Sequence, residues 1–217
     1  HELRTPLTSI KGWAETLQDL QDDPAVTQEG LAIIGRETDR LIILVKDLLD
    51  FSTLQAHRIE LKKTEFSIKQ LLTDLNNQFV MRCHQEKIKM TLLTDNRESW
   101  VFADYNRLKQ VFINIVDNAI KFTAGRPKAE IKISSQVLDD QIVMIIEDNG
   151  SGISTEDLKR VKEKFYKGSS NKSGTGLGLS IASEIMELHG GKMLIDSIQE
   201  NWTKVVLLMP YYYELQR

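Results

Sequence analysis

The spacing of apolar residues near the start of this chain constrains its fold more than any other feature. Apolar side chains recur there at alternating steps of three and four, before and after an acidic turn at Asp22-Asp23-Pro24. This heptad spacing places them on one face of an α-helix. The positions concerned are Leu3, Leu7, Ile10, Ala14 and Leu17 in the first segment and Leu31, Ile34, Thr38, Leu41, Val45 and Leu48 in the second, where Thr38 is the one polar residue of the seam. We therefore predict two helices joined by a short turn.

The second helix has a wider apolar stripe than one partner helix covers. Besides its seam it carries Ile33, Ile42, Ile43, Leu44 and Leu49. A helical hairpin on its own would leave much of this surface in water, whereas pairing with a second copy buries it in a four-helix bundle. We expect a homodimer.

The periodicity changes after residue 56. Alternation with a period of two predicts strands at residues 59–61, 88–92, 129–137, 142–147, 192–198 and 203–209, and a period near 3.6 predicts helices at 66–86, 105–122 and 177–188. Strands with a few helices on one face form an α+β sandwich. The predicted domains are a helical hairpin at residues 1–57 and this sandwich at residues 62–217.

Composition narrows the function classes. The net charge of −3 provides no basic surface for nucleic acid, and apolar runs such as residues 41–45 are far shorter than the roughly 20 residues of a membrane span. Cys83 is the single cysteine, which excludes an intrachain disulfide and suits a reducing compartment. Because the chain begins with His1 rather than Met, we expect it to be a fragment of a longer protein.

A polar cluster lies on one of the predicted helices. Asn114 and Asn118 are one helical turn apart and share a face, and Lys121 lies a further turn on. A carboxamide oxygen is a hard ligand suited to Mg²⁺, and a lysine ammonium is suited to phosphate. The alternative is that both asparagines are ordinary polar positions on a half-buried helix.

Two further clusters contain glycine. Glu147-Asp148-Asn149-Gly150-Ser151-Gly152-Ile153 follows an apolar strand, where an acid can accept a hydrogen bond from an amine and glycines permit close approach of a ligand. Taken alone, it is equally an ordinary turn. Ser173-Gly174-Thr175-Gly176-Leu177-Gly178-Leu179 opens a helix and offers backbone N–H groups to an anion. It matches neither the Rossmann nor the Walker spacing.

In this order the three clusters resemble the N, G1 and G2 boxes of the GHKL (Bergerat) ATPases, which include histidine kinases, gyrase and Hsp90. Lys164-Phe165-Tyr166-Lys167-Gly168 resembles the F box, which only the histidine kinases place between G1 and G2. The first residues, His1-Glu2-Leu3-Arg4-Thr5-Pro6-Leu7-Thr8, resemble the H box of these kinases. The resemblance covers nearly the whole chain and implies a sensor histidine kinase of a two-component system.

The resemblance also implies roles toward ATP and Mg²⁺. Asn118 corresponds to the Mg²⁺ ligand, with Asn114 and Lys121 beside the phosphates. Phe122 lies near the adenine, and Asp148 accepts from the adenine amino group. The residues that form the floor and cover of the nucleotide are Gly150, Gly152, Ile153, Tyr166, Lys167, Thr175, Gly176, Leu177, Gly178 and Leu179. Three departures from the family are Lys162, which replaces the first F-box phenylalanine, Lys167, which stands where an arginine is frequent, and a short lid at residues 168–173.

At the H box, the resemblance implies that His1 is the phosphoacceptor and that Glu2 takes its proton. The phosphoryl group then passes to an aspartate of a response-regulator receiver domain. Glu2-x-x-Thr5 resembles the motif with which such kinases dephosphorylate that receiver, which makes Thr5 a candidate for phosphatase activity. The alternative is that Thr5 caps the helix, Pro6 is its first residue and His1 is a frayed end.

The sequence leaves two rival functions. One is a gyrase-type or Hsp90-type ATPase that uses ATP as a conformational clamp, against which the H and F boxes weigh. The other is a dimeric scaffold that acts mainly as a receiver phosphatase, and it shares every motif. We expect this fragment to be cytoplasmic, without membrane contact of its own, and the full-length protein to be anchored in the cell membrane.

Overall fold

The computed structural model describes residues 3–19, 23–55, 60–95, 99–168 and 174–212. The chain divides into two compact units, His1–His57 and Arg58–Arg217. Among the helices of the described residues, none combines the length and the apolar character that crossing a bilayer requires.

The described residues of the first unit form two helices, as the heptad spacing predicts. Helix α1 spans Arg4–Asp19 and helix α2 spans Pro24–Gln55. Asp23 fixes the start of α2, because its Oδ1 accepts from two backbone N–H groups of the first turn at 2.9 and 3.3 Å. Pro24 follows at the first helical position, where a missing N–H costs nothing.

The first turn of α1 departs from the interpretation in which Thr5 is a cap. The helix begins at Arg4, and the Leu7 N–H donates to the Leu3 carbonyl at 3.4 Å, so that Thr5 and Pro6 lie within the first turn. A proline there removes no helical hydrogen bond, because the first N–H groups of a helix have no acceptor within it.

The helices of the hairpin approach closely at Gly30, which is buried. A methyl group added there would come within 2.8 Å of the Trp13 ring and 3.0 Å of the Leu17 side chain. Trp13 therefore packs against α2 within the hairpin. Other large apolar side chains are more than half exposed in the single chain, namely Leu7, Leu31, Ile42, Ile43 and Leu49.

The second unit contains two sheets and four helices among its described residues. Its elements in chain order are β1 (Thr64–Ser67), α3 (Ile68–Gln85), β2 (Lys89–Thr94), β3 (Trp100–Ala103), α4 (Tyr105–Thr123), β4 (Glu130–Leu138), β5 (Gln141–Asp148), α5 (Thr155–Leu158), α6 (Gly178–Leu188), β6 (Lys192–Ile198) and β7 (Trp202–Pro210). The larger sheet has the order β2-β4-β5-β7-β6, with β2 and β4 parallel and the other neighbours antiparallel. Strands β1 and β3 pair antiparallel in a separate two-stranded sheet. The α+β sandwich is thus confirmed.

The core lies between the larger sheet and α3, α4 and α6. Along β5 the inward side chains alternate with less buried ones, as a sheet with one covered face requires. Ile142, Met144 and Ile146 are buried, and Asp148 is the next position of the same series. The alternation that builds the core therefore carries one carboxylate onto its covered face.

The C-terminus of α6 is tied to the N-terminus of α4. His189 ends α6 and Gly190 follows with φ 71, which confirms the predicted helix stop. The buried His189 ring contacts the Ile185 carbonyl through Nδ1 at 2.8 Å and accepts from the Asp104 N–H through Nε2 at 3.0 Å. These two bonds suit the neutral imidazole, and burial lowers the pKa of this histidine.

Most of the predicted elements are confirmed, and the errors lie in short segments. Residues 60 and 61 form no strand, and residue 59 lies outside the described residues. The strand is instead β1, where the buried Phe66 packs edge-on to Tyr105 at 5.1 Å, so that α3 begins after it. Strand β3 carries too few residues for its alternation to be recognised.

Strands β4 and β5 form a tight antiparallel hairpin. Leu138 pairs with Gln141, which leaves Asp139 and Asp140 as the turn. Asp139 has φ 52, a left-handed conformation that aspartate tolerates better than most residues, and Asp140 is exposed.

Candidate functional site

Helix α4 carries the first polar cluster on a half-buried face. Asp104 caps the helix by accepting from the Arg107 N–H at 3.1 Å. Asn114 Nδ2 donates to the carbonyl of Gly178, the first residue of α6, at 3.0 Å. Asn118 is half-buried one turn further on, and its side chain makes no hydrogen bond within the described part of the chain. This face therefore presents a carboxamide that is available to a ligand.

Lys121 lies one turn beyond Asn118, in the last turn of α4. Its ammonium lies 4.7 Å from the centroid of the Phe122 ring, within the range of a cation–π contact. A methyl group added to Gly174, in the loop before α6, would be 3.1 Å from the ammonium nitrogen. The loop thus brings its backbone close to a positive charge, an arrangement suited to an anion.

Asp148 is a buried acid at the end of β5, only 7% exposed. Its Oδ1 accepts from the Gly150 N–H at 2.9 Å and from the Thr123 hydroxyl at 3.4 Å. Burial raises the pKa of Asp148 to about 6 against the opposing effect of these two bonds, and the Glu147 carboxylate adds to the rise. No described residue donates to Oδ2. This oxygen is therefore available to accept a hydrogen bond.

The glycine loop after β5 is pressed against its neighbours. At Gly150 a methyl group would be 2.9 Å from the Phe122 carbonyl oxygen, to which the Ser151 N–H donates at 3.2 Å. Gly152 has φ 61, and a methyl group there would be 2.1 Å from the Ile198 carbonyl oxygen. Both positions require glycine: Gly150 lets the loop pack against the end of α4, and Gly152 lets it pack against the end of β6.

The predicted F box lies against the loop that precedes α6. Gly176 has φ 71, and a methyl group there would be 2.7 Å from the backbone carbonyl carbon of Phe165. The Tyr166 hydroxyl donates to Asp157 Oδ1 at 2.6 Å, and the Arg160 guanidinium lies 4.3 Å from the tyrosine ring. The F box is therefore anchored on the short helix α5 and its following turn.

The other predicted cover residues occupy the same loop and its borders. Thr175 Oγ1 accepts from the N–H of Leu177, which is buried, at 3.2 Å. Leu179 is half-buried in the first turn of α6, and Lys167 is exposed. Residues 169–173 of the predicted lid lie outside the described residues.

The contacts above bring the N, G1, F and G2 clusters of the second unit together. The H box belongs to the first unit, where Thr5 is exposed on α1. His1 and Glu2 lie outside the described residues, so that their predicted roles stay predictions.

Sequence reasoning assigned no role to three residues of this site. Thr123 is fully buried and bonds Asp148, and its place directly after the N box was the available signal. Ser197 Oγ accepts from the Ile153 N–H at 2.8 Å, and Arg126 bonds Glu200. These last two contacts join residues 44 and 74 positions apart, so no local pattern indicates them.

The donor set fits a magnesium nucleotide. Asn118 offers an unbonded hard carboxamide, Lys121 a positive charge, and Asp148 an acceptor for an exocyclic amine. Mg²⁺ is commonly held by few protein oxygens together with water and substrate phosphates, so that one such side chain suits it. The described residues contain no cluster of three His, Cys, Asp or Glu side chains for a separate metal centre.

Two family models match the chain. Residues 103–212 match the histidine kinase-, DNA gyrase B- and HSP90-like ATPase, and residues 1–57 match the His Kinase A (phospho-acceptor) domain. The phospho-acceptor match covers the helical hairpin, and the ATPase match lies within the sandwich.

Known proteins resemble the chain along nearly its whole length. The sensor protein SrrB of Staphylococcus aureus (strain MRSA252) is 32% identical over 97% of this chain and 36% of its own length. Histidine kinase ThkA, solved in complex with the response regulator protein TrrA, has a TM-score of 0.80 and 31% identity over 98% of this chain and 59% of its own. Full-length ShkA, solved with AMPPNP, has a TM-score of 0.76 and 26% identity over 99% of this chain and 45% of its own. The chain spans between about a third and a half of the length of the curated relatives it matches.

Proposed function

This chain belongs to the sensor histidine kinases, and we propose that its Arg58–Arg217 unit binds ATP with Mg²⁺ and transfers the γ-phosphoryl group to His1. From His1 the group passes to an aspartate of a response-regulator receiver domain. The observation that carries the proposal is the buried Asp148 with an unbonded Oδ2, set beside the polar face of α4. The match of residues 1–57 to a phospho-acceptor domain favours this function over an ATPase that uses ATP only as a clamp.

Recognition of the base depends on Asp148. Its Oδ1 is already bonded by Gly150 and Thr123, so Oδ2 is the oxygen that accepts from the adenine amino group. A guanine presents a carbonyl at that position, which would face the carboxylate as a second acceptor. A site of this kind therefore selects adenine nucleotides. Phe122, Gly150, Gly152 and Ile153 border the base in the same proposal.

Recognition of the phosphates depends on α4 and the loop before α6. Asn118 holds Mg²⁺ through its carboxamide oxygen, and the bound ion neutralises phosphate charge. Lys121 adds a point charge, and Asn114 fixes α6 so that its N-terminal N–H groups face the phosphates. The cover of the nucleotide comes from Tyr166, Lys167, Thr175, Gly176, Leu177, Gly178 and Leu179.

The transfer step uses two residues of the H box. A ring nitrogen of His1 attacks the γ-phosphorus, a P–N bond forms, and the P–O bond to the β-phosphate breaks with the electron pair leaving on ADP. Glu2 takes the proton from the other ring nitrogen. Histidine side chains titrate near pH 6.5, so a nucleophilic imidazole is available at neutral pH. This part of the proposal rests on the H box and on the phospho-acceptor match.

The helical hairpin is proposed as the dimer and receiver interface. Its exposed apolar residues, among them Leu7, Ile42 and Leu49, are those that a second copy would cover in a four-helix bundle. The relative ThkA was solved with a response regulator protein, which supports a receiver domain as the partner. Thr5 is exposed and follows His1 by four residues in the sequence, and exposure is what a role in dephosphorylating that receiver requires. We also propose that this part of the protein is cytoplasmic and that the full-length protein is membrane-anchored.

Labelling with γ-phosphate-labelled ATP and Mg²⁺ tests the function. We expect acid-labile phosphate on the wild-type chain and none on His1→Gln, while His84→Gln, a change at an exposed histidine, labels normally. Acid-labile phosphate on His1→Gln would refute the assignment of the nucleophile. ATP hydrolysis without any phosphorylated protein would instead favour the clamp ATPase.

A second measurement tests the phosphatase activity. A phosphorylated receiver domain is incubated with wild-type chain or with Thr5→Ala, and the loss of its phosphate is followed with time. We expect the variant to label His1 normally and to lose dephosphorylation of the receiver. Equal rates for the two proteins would remove Thr5 from the proposal.

A further inference from the structure

The turn between β6 and β7 also holds the glycine loop. The Glu200 N–H donates to the Ser151 carbonyl at 2.6 Å. From the end of β6, Ser197 Oγ accepts from the Ile153 N–H at 2.8 Å and donates to the Trp202 carbonyl at 2.7 Å. The loop is therefore bonded on both sides of Gly152, to the end of β6 and to the turn that follows it, and neither segment belongs to the sequence motifs.

Arg126 joins the same turn to the end of α4. Its guanidinium donates to Glu200 Oε2 at 2.9 Å and to the Glu200 carbonyl at 2.8 Å, and its backbone N–H donates to the Thr123 carbonyl at 3.1 Å. Because Glu200 bonds Ser151, the end of α4, the turn and the glycine loop are linked in a closed set of contacts. We call this set the Arg126 clasp; its members are Arg126, Glu200, Ser151 and Ser197.

The Arg126 clasp bears on the direction in which the Asp148 carboxylate points. Oδ1 is bonded by two donors from different segments, the Thr123 hydroxyl on α4 and the Gly150 N–H in the loop. The orientation of the carboxylate, and with it the direction of Oδ2, therefore depends on how these two segments are placed relative to each other. A hydrogen bond weakens steeply once its D–H···A angle falls below about 120°, so a displacement of the loop that turns the carboxylate changes what Oδ2 can accept.

We propose that Arg126 and Ser197 are positioning residues for recognition of the base. They set the relative position of α4 and the glycine loop, and so aim Asp148 Oδ2 at the adenine amino group. This inference rests on the proposed function. The Glu200 side chain is 74% exposed, but the Arg126 guanidinium also donates to the Glu200 carbonyl at 2.8 Å, so that a backbone contact as well as the ion pair fixes the position of the turn.

The experiment compares two nucleotides on the full chain. ATP and purine riboside triphosphate differ by the 6-amino group, so the ratio of their Kd values reports the bond to Oδ2 alone. We measure this ratio for the wild type, Arg126→Gln and Ser197→Ala. Arg107→Gln is the matched control, since Arg107 lies at the other end of α4 and bonds Gln110. Thermal unfolding without nucleotide is followed for each variant.

We expect the wild type and Arg107→Gln to prefer ATP. In Arg126→Gln and Ser197→Ala the Kd for ATP rises about tenfold while that for purine riboside triphosphate is unchanged, which is the size expected for most of one charge-assisted hydrogen bond. An equal rise for both nucleotides, or no rise, overturns the inference. Ser197→Ala decides the question if Arg126→Gln does not fold. A wild type without preference for ATP overturns the proposed base recognition itself, and the inference with it.

Discussion

Replacing Asp148 with asparagine separates the stability of the sandwich from its proposed function. The substitution removes a buried negative charge and keeps an oxygen that can accept from Gly150 and Thr123. It also places an amide group where Oδ2 would accept from the base. We therefore expect Asp148→Asn to be more stable than the wild type and to lose ATP binding.

The magnitude follows from the pKa of Asp148, which burial raises from 3.8 to about 6. Between these values the folded state holds the proton more tightly than the unfolded state, so stability falls as pH rises through this window and stays low above it. At about 1.36 kcal/mol for each unit of pKa, the ionised carboxylate costs the folded state about 3 kcal/mol at pH 7.5 and about half of that at pH 5. Asp148→Asn carries no charge at this position, so its folded state is not destabilised in this way.

Urea unfolding at pH 5 and pH 7.5 measures the difference. We expect the variant to exceed the wild type by up to about 3 kcal/mol at pH 7.5 and by a smaller amount at pH 5. Asp140→Asn is the control, because it removes the same charge from an exposed turn and should change stability by less than about 0.5 kcal/mol. A variant no more stable than the wild type at pH 7.5, or a difference independent of pH, would refute the reasoning.

Three further predictions concern the same unit. Asn118→Ala should abolish labelling by ATP and Mg²⁺ without changing the urea midpoint, because its side chain bonds no described residue; normal labelling would exclude it as the Mg²⁺ ligand. Gly152→Ala should lower the free energy of unfolding by about 2 kcal/mol or more, since its methyl group meets the Ile198 carbonyl at φ 61, and an unchanged urea midpoint would contradict this. Between pH 7.5 and pH 6 the wild type should lose stability relative to His189→Gln, because the unfolded state takes up a proton there that the buried His189 resists, and the same pH dependence in both proteins would contradict this.

The elements that carry the site were readable from the sequence because their periodicity is long. Helix α4 and strand β5 each repeat their apolar pattern enough times to fix which face is inward, and this places Asp148 on the covered face. The glycine clusters could also be located, because the glycines are visible directly in the sequence. Their individual glycines could not be explained, because the atom that excludes a side chain at Gly152 belongs to Ile198, far along the chain.

Contacts between segments that are far apart in the chain could not be predicted from the sequence. The predicted stop at His189 was correct, but its bond to Asp104 joins the ends of two helices that no local pattern relates. The same holds for Arg126 and Glu200. Such contacts depend on how the sheet orders its strands, and the order β2-β4-β5-β7-β6 does not follow the order of the chain.

The tight turn between β4 and β5 makes the sandwich convenient for fluorescence work. The chain has one cysteine, Cys83, whose side chain is buried and whose pKa is raised by that burial, so it reacts slowly with thiol reagents. A cysteine introduced by Asp140→Cys would be exposed at the opposite end of β5 from Asp148, roughly 27 Å away along an extended strand. A dye attached there would lie at a useful energy-transfer distance from a fluorescent nucleotide, without touching the residues proposed to bind it.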